Sequence, residues 1–336
     1  MNHRSCLFIT YLVVFATLLG CGRVADNKTS RSEFRGQFKL ATVTSMEHTY
    51  SRGASRFADL VRQRSGGRIQ ITVYPDGKLG TGEKELLEAV RQGKIDMYVG
   101  STGTLAFFSA SMGVLDVPFL FRNYAEADKV LDGPLGRQLL ADLETAQLNG
   151  LAFWENGFRN LTNNRQAVRL PADVQGLTIR TMENTIHLAA WKAVGANPVA
   201  MPWGEVYKAL KNKTIDGQEN PVGLIYSAKM KDVQKHLSLT RHVYSPAIII
   251  AGHKLWQTIP RDDQEMMIKT AREVGREERK LGRDTEENQL AELAAGGMIV
   301  TGDIDREAWR TAMAPVIEKY LQPFGREKID AILNMK

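Results

Sequence analysis

Two arginines occupy positions from which a side chain could recognise an anion. Arg180 closes the short apolar run Leu177-Thr178-Ile179. In an α/β sheet the end of a buried strand faces the crevice where ligands sit. A guanidinium there offers a planar fork that matches a carboxylate bidentately. A structural ion pair is the other use of such an arginine. Arg159 lies in Asn156-Gly157-Phe158-Arg159-Asn160, at the seam between the two halves of the sequence. Reaction chemistry is harder to find. Gly77, Gly80 and Gly82 follow a strand-like segment, but a G-x-x-G-x-G spacing is neither the dinucleotide fingerprint nor a P-loop, and a turn explains it better. The sequence has no G-x-S-x-G elbow. Its six histidines include no i, i+4 pair, and His236 and His242 stand six apart, so no metal-ligand spacing is evident. No carboxylate pair stands out from solvated helix faces. As an enzyme the sequence offers no recognisable reaction centre, and it shows no cofactor motif.

The elements that would carry these side chains alternate. A strand at 38–43 precedes a helix at 51–63, with Ala54, Phe57, Ala58 and Val61 on one face. Ile69, Ile71 and Val73 alternate as a strand, and Pro75-Asp76-Gly77 turns the chain. A helix at 83–91 turns Leu86, Leu87 and Val90 inward, and a strand follows at 95–99. The pattern then restarts: strands at 151–154, 177–180, 198–201 and 215–218, a helix capped by Asn184, and another opened by Pro202. The expected class is α/β, with layers around a largely parallel sheet and two successive units forming two lobes. The apolar stretch 243–251 suits a strand crossing between them. Pro260, followed by Asp262 and Asp263, opens a helix predicted to reach about residue 295. At 1.5 Å per residue it spans roughly 50 Å, enough to lie across both lobes.

The chain has 336 residues, 43% apolar and 24% charged, which are globular values that exclude disorder and a polytopic membrane protein. The net charge of +6 is spread along the chain and no basic run alternates with aromatics, which argues against nucleic acid as a partner. Arg4 and the apolar stretch 7–19, too short to span a bilayer, read as an export leader. The run ends Leu18-Leu19-Gly20-Cys21, which looks like a lipoprotein cleavage site. Residues 1–20 are then removed, and Cys21 carries lipid. Residues 21–36 form a flexible tether of roughly 20–25 Å. Cys6 and Cys21 are the only cysteines, so the mature chain has no internal disulfide and no thiol nucleophile.

An ordered set of segments then becomes specific. It comprises Tyr74-Pro75 through Leu79-Gly80, Gly93-Lys94-Ile95-Asp96-Met97, and Leu115-Asp116-Val117-Pro118-Phe119-Leu120-Phe121-Arg122. It continues with Trp154-Glu155-Asn156-Gly157-Phe158-Arg159, Gly176-Leu177-Thr178-Ile179-Arg180 and Gly195-Ala196-Asn197-Pro198. It ends with Glu205-Val206-Tyr207-Lys208-Ala209-Leu210 and Asp216-Gly217-Gln218-Glu219-Asn220-Pro221. From about residue 39 to beyond 320 the chain resembles the substrate-binding proteins of tripartite ATP-independent periplasmic (TRAP) transporters, the dicarboxylate- and sugar-acid-binding type. The resemblance implies a clamshell: lobe I at 37–156 plus about 246–285, lobe II at 157–245 plus about 286–336. It implies that Arg180 forms the salt bridge to the ligand carboxylate, that Arg159 adds a second contact, and that Asn220 reaches the ligand. Trp203 stands where many members carry Phe. Glu183, Glu83, His48 and Ser101 are further candidates for the lining. The implied function is an extracytoplasmic, lipid-anchored receptor in the periplasm. It captures a small organic acid and hands it to membrane permease subunits driven by an ion gradient. A six-carbon sugar acid, a uronate or keto-sugar acid, is the expected ligand. C4-dicarboxylates, 2-oxo acids and a role as receptor for a sensor kinase are the alternatives.

Overall fold

The computed structural model describes residues 33–324. The predicted leader at 1–20, Cys21 and most of the 21–36 tether lie outside the described residues, as do residues 325–336. Nine strands are found among the described residues: β1 (Gly36–Ala41), β2 (Ile69–Tyr74), β3 (Met97–Ser101), β4 (Leu148–Asn163), β5 (Thr178–Thr181), β6 (Asn197–Ala200), β7 (Gly217–Pro221), β8 (His236–Gly252) and β9 (Ile299–Thr301). They form one sheet in the order β2-β1-β3-β8-β4-β7-β5-β6, with β9 alongside β8.

The sheet is parallel on its flanks and where the short β9 runs beside β8. β1 runs parallel to β2 and β3, and β5 runs parallel to β6 and β7. Along its main order the middle is antiparallel, where β8 pairs with β3 and β4, and β4 with β7. This departs from the largely parallel sheet expected from the alternating pattern. The reason is that two long strands, of 16 and 17 residues, run through both halves in opposite directions. The apolar stretch 243–251 announces β8. Only 151–154 announces β4, because Asn156, Gly157 and Asn160 interrupt its apolar pattern although most of the strand is buried.

β4 and β8 slip register between Glu155 and Gly157, opposite Pro246 and Ser245. Gly157 has φ +116°, a region L side chains rarely adopt, and a Cβ there would lie 3.3 Å from the Pro221 ring. The bulge therefore turns the strand where one half-sheet gives way to the other.

Helices cover both faces. The helix Thr49–Arg64 and the first part of the helix Arg261–Ala295 bury Phe57, Val61, Met267 and Val274 against Met97, Val99 and Trp154 of the first half-sheet. The helix Glu83–Arg91 buries Leu86, Leu87 and Val90 on the opposite face with Tyr98. In the second half, the helices Thr185–Ala193 and Arg306–Leu321 join through Trp191 and Trp309, whose rings meet edge-on at 5.7 Å. The helices Trp203–Lys211 and Val222–Ser227 pack with Leu293 near the end of the long helix. The long helix thus contributes to cores in both lobes, as its 35-residue length predicts. The Asn184 side chain caps Thr185–Ala193 by accepting from the Ile186 and His187 amides, as expected.

Candidate functional site

The site is built where the two half-sheets meet. β5 presents Arg180, which is 3% exposed. Its Nε and Nη2 donate to the Met201 carbonyl at 2.9 and 2.7 Å. Its guanidinium carbon lies 5.6 Å from the Trp203 ring centroid. Among the described residues no carboxylate forms an ion pair with it. Burial strips water from the charge and Arg159 repels it, so its pKa falls to about 10 despite Glu219, Glu83 and Glu183.

The glycine run is a turn that delivers a carboxylate. Gly77 takes φ +63° and Gly80 donates its amide to the Gly77 carbonyl. Gly82 then precedes the helix whose first residue is Glu83. Glu83 is buried, and both groups that bond it, the Tyr98 hydroxyl at 3.0 Å and the Ser101 amide at 3.1 Å, donate to Oε1. Burial pushes its pKa up, against these bonds and the charges of Arg180 and Arg159. Ser101 is held by a 2.9 Å hydroxyl contact with Ser245, and the Asn220 amide donates to Gln218 Oε1.

Arg180, Glu83, Ser101, Trp203 and Asn220 line one cavity, completed by Tyr50, Asn156, Thr44 and the apolar Val43, Met182 and Leu224. The Tyr50 hydroxyl and Asn156 Oδ1 are buried there without a hydrogen-bond partner. Contacts between the lobes close around it: the Asn184 amide group donates to the Gly103 carbonyl at 2.6 Å, and the Gly204 amide to the Thr81 carbonyl at 2.9 Å.

Arg159 lies behind this lining. It is fully buried on β4, with Nε and Nη2 on the Glu219 carboxylate and Nη2 also on the Glu219 carbonyl. Its Nη1 has no partner, and its charge is felt at Arg180, Glu83 and Tyr50. Burial works to raise the Glu219 pKa, but Arg159 and a 3.1 Å contact from His242 Nε2 hold it well below the usual carboxylate range. Burial pushes His242 down, and its Nδ1 lies 2.8 Å from the Thr240 hydroxyl. His187 sits between Glu219 and Asp116, at 3.8 and 3.4 Å.

Two candidates lie elsewhere. His48 caps the helix Thr49–Arg64, its Nδ1 accepting from the Tyr50 amide at 3.2 Å, and lines a neighbouring cleft with Asn156 and Glu286. Burial drives its pKa down to about 3. Glu183 is half-buried beside Gly82, Lys84 and Pro202, outside the cavity around Arg180. A larger cleft lined by Arg137, Arg272, Arg276 and Arg279 shares no residue with that cavity.

The model of the bacterial extracellular solute-binding proteins, family 7, matches residues 40–323. The chain belongs to that family. It is 40% identical over 270 residues to the 2,3-diketo-L-gulonate-binding periplasmic protein of Escherichia coli K12, covering 80% of this chain and 82% of that one. A TRAP periplasmic solute-binding protein from Polaromonas sp. JS666, solved with D-erythronate, superposes with a TM-score of 0.87 at 38% identity, over 89% of this chain and 98% of its own. The sugar-acid-binding protein of Advenella mimigardefordensis, solved with galactonate, gives 0.86 at 32% identity, over 90% and 97%. The chain is therefore a two-lobed solute-binding component of the TRAP type. Among its described residues no helix is long and apolar enough to cross a membrane.

Within this solute-binding fold, sequence reasoning missed Tyr50, Asn156 and Glu219. Asn156 and Glu219 lie inside the family-like segments Trp154–Arg159 and Asp216–Pro221, so a signal for them existed. Tyr50 carries none, since an aromatic in the first turn of an amphipathic helix reads as core.

Proposed function

We propose that this chain is the periplasmic receptor of a TRAP transporter for a hydroxylated sugar acid, most simply a six-carbon aldonate, uronate or keto-sugar acid. Arg180 takes the carboxylate, and the lobes close on the ligand and carry it to the permease. The observation that carries this reading is the state of Arg180. It is buried at the cavity wall, held by one backbone carbonyl, and lacks an internal carboxylate. A buried guanidinium of this kind gains most from an incoming carboxylate. The ligands of those relatives, diketogulonate, erythronate and galactonate, are hydroxylated monocarboxylates and support the choice. The bulge at Glu155 to Gly157 opposite Pro246 and Ser245 supports lobe boundaries at 156/157 and 245/246. The Leu18-Leu19-Gly20-Cys21 run supports a lipid anchor on Cys21, and intact-mass analysis of the membrane-bound protein tests it.

The test of the anchor is titration calorimetry of sugar acids against wild type and Arg180→Ala. The expected loss is about 2–5 kcal/mol of binding free energy, with Arg180→Lys intermediate because a point charge cannot reproduce the fork. Binding within about threefold of wild type, roughly 0.65 kcal/mol, would remove Arg180 from the role.

A further inference from the structure

We infer that Glu83 is the residue that sets ligand class: it accepts from ligand hydroxyls and bars a second carboxylate, so the cavity takes hydroxylated monoacids and excludes the matching diacids. The inference rests on the reading of Arg180 as carboxylate anchor.

The buried wall leaves four groups unmatched: the Arg180 charge, Glu83 Oε2, the Tyr50 hydroxyl, which donates to or accepts from a ligand hydroxyl, and Asn156 Oδ1. The charge of Arg159 is already matched by Glu219. Arg180 is the cation without a carboxylate, and its Nε and Nη2 are committed to Met201. One ligand carboxylate satisfies it. The remaining charged group of the lining is Glu83. Both donors that hold Glu83 bond Oε1, and Oε2 takes no hydrogen bond from any described residue. An ionised carboxylate only accepts, so this oxygen asks for a donor on the ligand. Asn156 Oδ1, buried on the same wall without a partner, asks for another. A hydroxyl meets either demand. A second ligand carboxylate meets neither, and it would place like charges together where water is excluded. The backbone of the wall gives Glu83 little room to withdraw, because Tyr98 and Ser101 both lie on β3 and fix its position from the sheet.

The experiment compares acids that differ in one group: galactonate with galactarate, and erythronate with meso-tartrate. Each pair exchanges a terminal hydroxymethyl for a carboxylate. Calorimetry is run on wild type, Glu83→Gln and Glu83→Asp, with melting curves to establish that each variant is folded. Wild type is expected to favour the monoacid by at least 100-fold. Glu83→Gln, which removes the charge and supplies a donor, should shrink that ratio at least 30-fold, by weakening the monoacid and admitting the diacid. Glu83→Asp, which keeps the charge, should continue to exclude the diacid even where its monoacid affinity falls. A wild type that binds diacid within tenfold of monoacid overturns the inference, as does a Glu83→Gln ratio equal to that of wild type. Should no acid bind wild type, the Arg180 reading falls and this one with it. Should acids bind with Arg180 dependence but no Glu83 dependence, this one alone falls.

Discussion

The molecule uses buried arginines in two opposite ways. On the long helix, the buried Arg279 and the half-buried Arg283 are almost saturated. Arg279 reaches Asp128, Asp132 and the Phe153 carbonyl, while Arg283 reaches Asp128 and Glu155, and Tyr244 adds a bond to Glu155. These bonds fasten the long helix to the helix Tyr124–Leu131 and to β4, with Arg283 held well above its usual pKa by Asp128 and Glu155 against the effect of burial. At the cavity, Arg180 has one carbonyl and no carboxylate, and its pKa is pushed down. Arg159 stands between the two cases, bidentate to Glu219 but with Nη1 unpartnered. The difference teaches how to separate scaffold from site. Where a buried guanidinium finds its carboxylates inside the chain, it holds the fold. Where it does not, the missing partner is the ligand.

The comparison breaks most visibly at Arg159. Removing one member of a buried pair leaves the other charge stranded, a cost of about 3–5 kcal/mol. Arg159→Met strands Glu219, which is fully buried, so ligand-free stability in urea should fall by that amount. Replacing both members, Arg159→Met with Glu219→Leu, should recover most of it. Arg180→Met strands no carboxylate and relieves a desolvated cation. Ligand-free stability should be unchanged or higher while binding collapses. A large urea shift for Arg180→Met and none for Arg159→Met would reverse the assignment of scaffold and site.

Glu278 is buried on the long helix and accepts from the Glu155 amide, and burial together with the Glu155 charge raises its pKa from 4.5 to about 8. The folded chain therefore holds a proton that the unfolded chain releases, and stability falls as pH climbs from about 4.5 to 8. Glu278→Gln mimics the protonated form and should abolish that slope. It should match wild type near pH 4.5 and exceed it by on the order of 3 kcal/mol at pH 8, where wild type has paid for the buried proton. Parallel wild-type and variant curves across this range would show that Glu278 is ionised in the fold.

How much of this was legible in the sequence depends on what kind of signal each residue leaves. Arg180 is legible because a charge at the end of an apolar run breaks a pattern. The long helix is legible because Pro260 and the paired aspartates mark its start and its stripe sustains the period. Glu219 and Asn220 are buried on β7, a strand that contains scarcely any apolar residue, so hydrophobic periodicity misses its core position. Ranking Arg159 against Arg180 requires knowing that β4 and β7 are neighbours with Leu161 opposite Glu219, a pairing between residues nearly sixty apart in the chain. Glu83 looks like the acidic first turn of any helix, and only the contacts with Tyr98 and Ser101 on β3 distinguish it. Local pattern reveals the elements, while the division of charges into matched and unmatched is a property of the sheet order.

The smallest effect sharpens the boundary of the site. His48 is 3% exposed and neutral, capping the helix Thr49–Arg64 through Nδ1 and meeting the Tyr50 ring edge-on at 4.4 Å. Its pKa, lowered by burial from 6.5 to about 3, means that the unfolded chain takes up a proton before the folded chain does. Stability is therefore lost as pH falls through 6.5 toward 3, by on the order of 2 kcal/mol at pH 4.5. His48→Asn keeps a capping acceptor and removes the titrating ring. The variant should lose less stability than wild type between pH 6.5 and 4.5 and match it more closely at neutral pH. If His48 acts only as a cap, sugar-acid affinity at neutral pH should stay within about threefold of wild type, since the Tyr50 amide still has its partner. A tenfold loss of affinity with the cap intact would instead place the imidazole in contact with ligand, and would extend the unmatched region from Arg180 and Glu83 to the first turn of that helix.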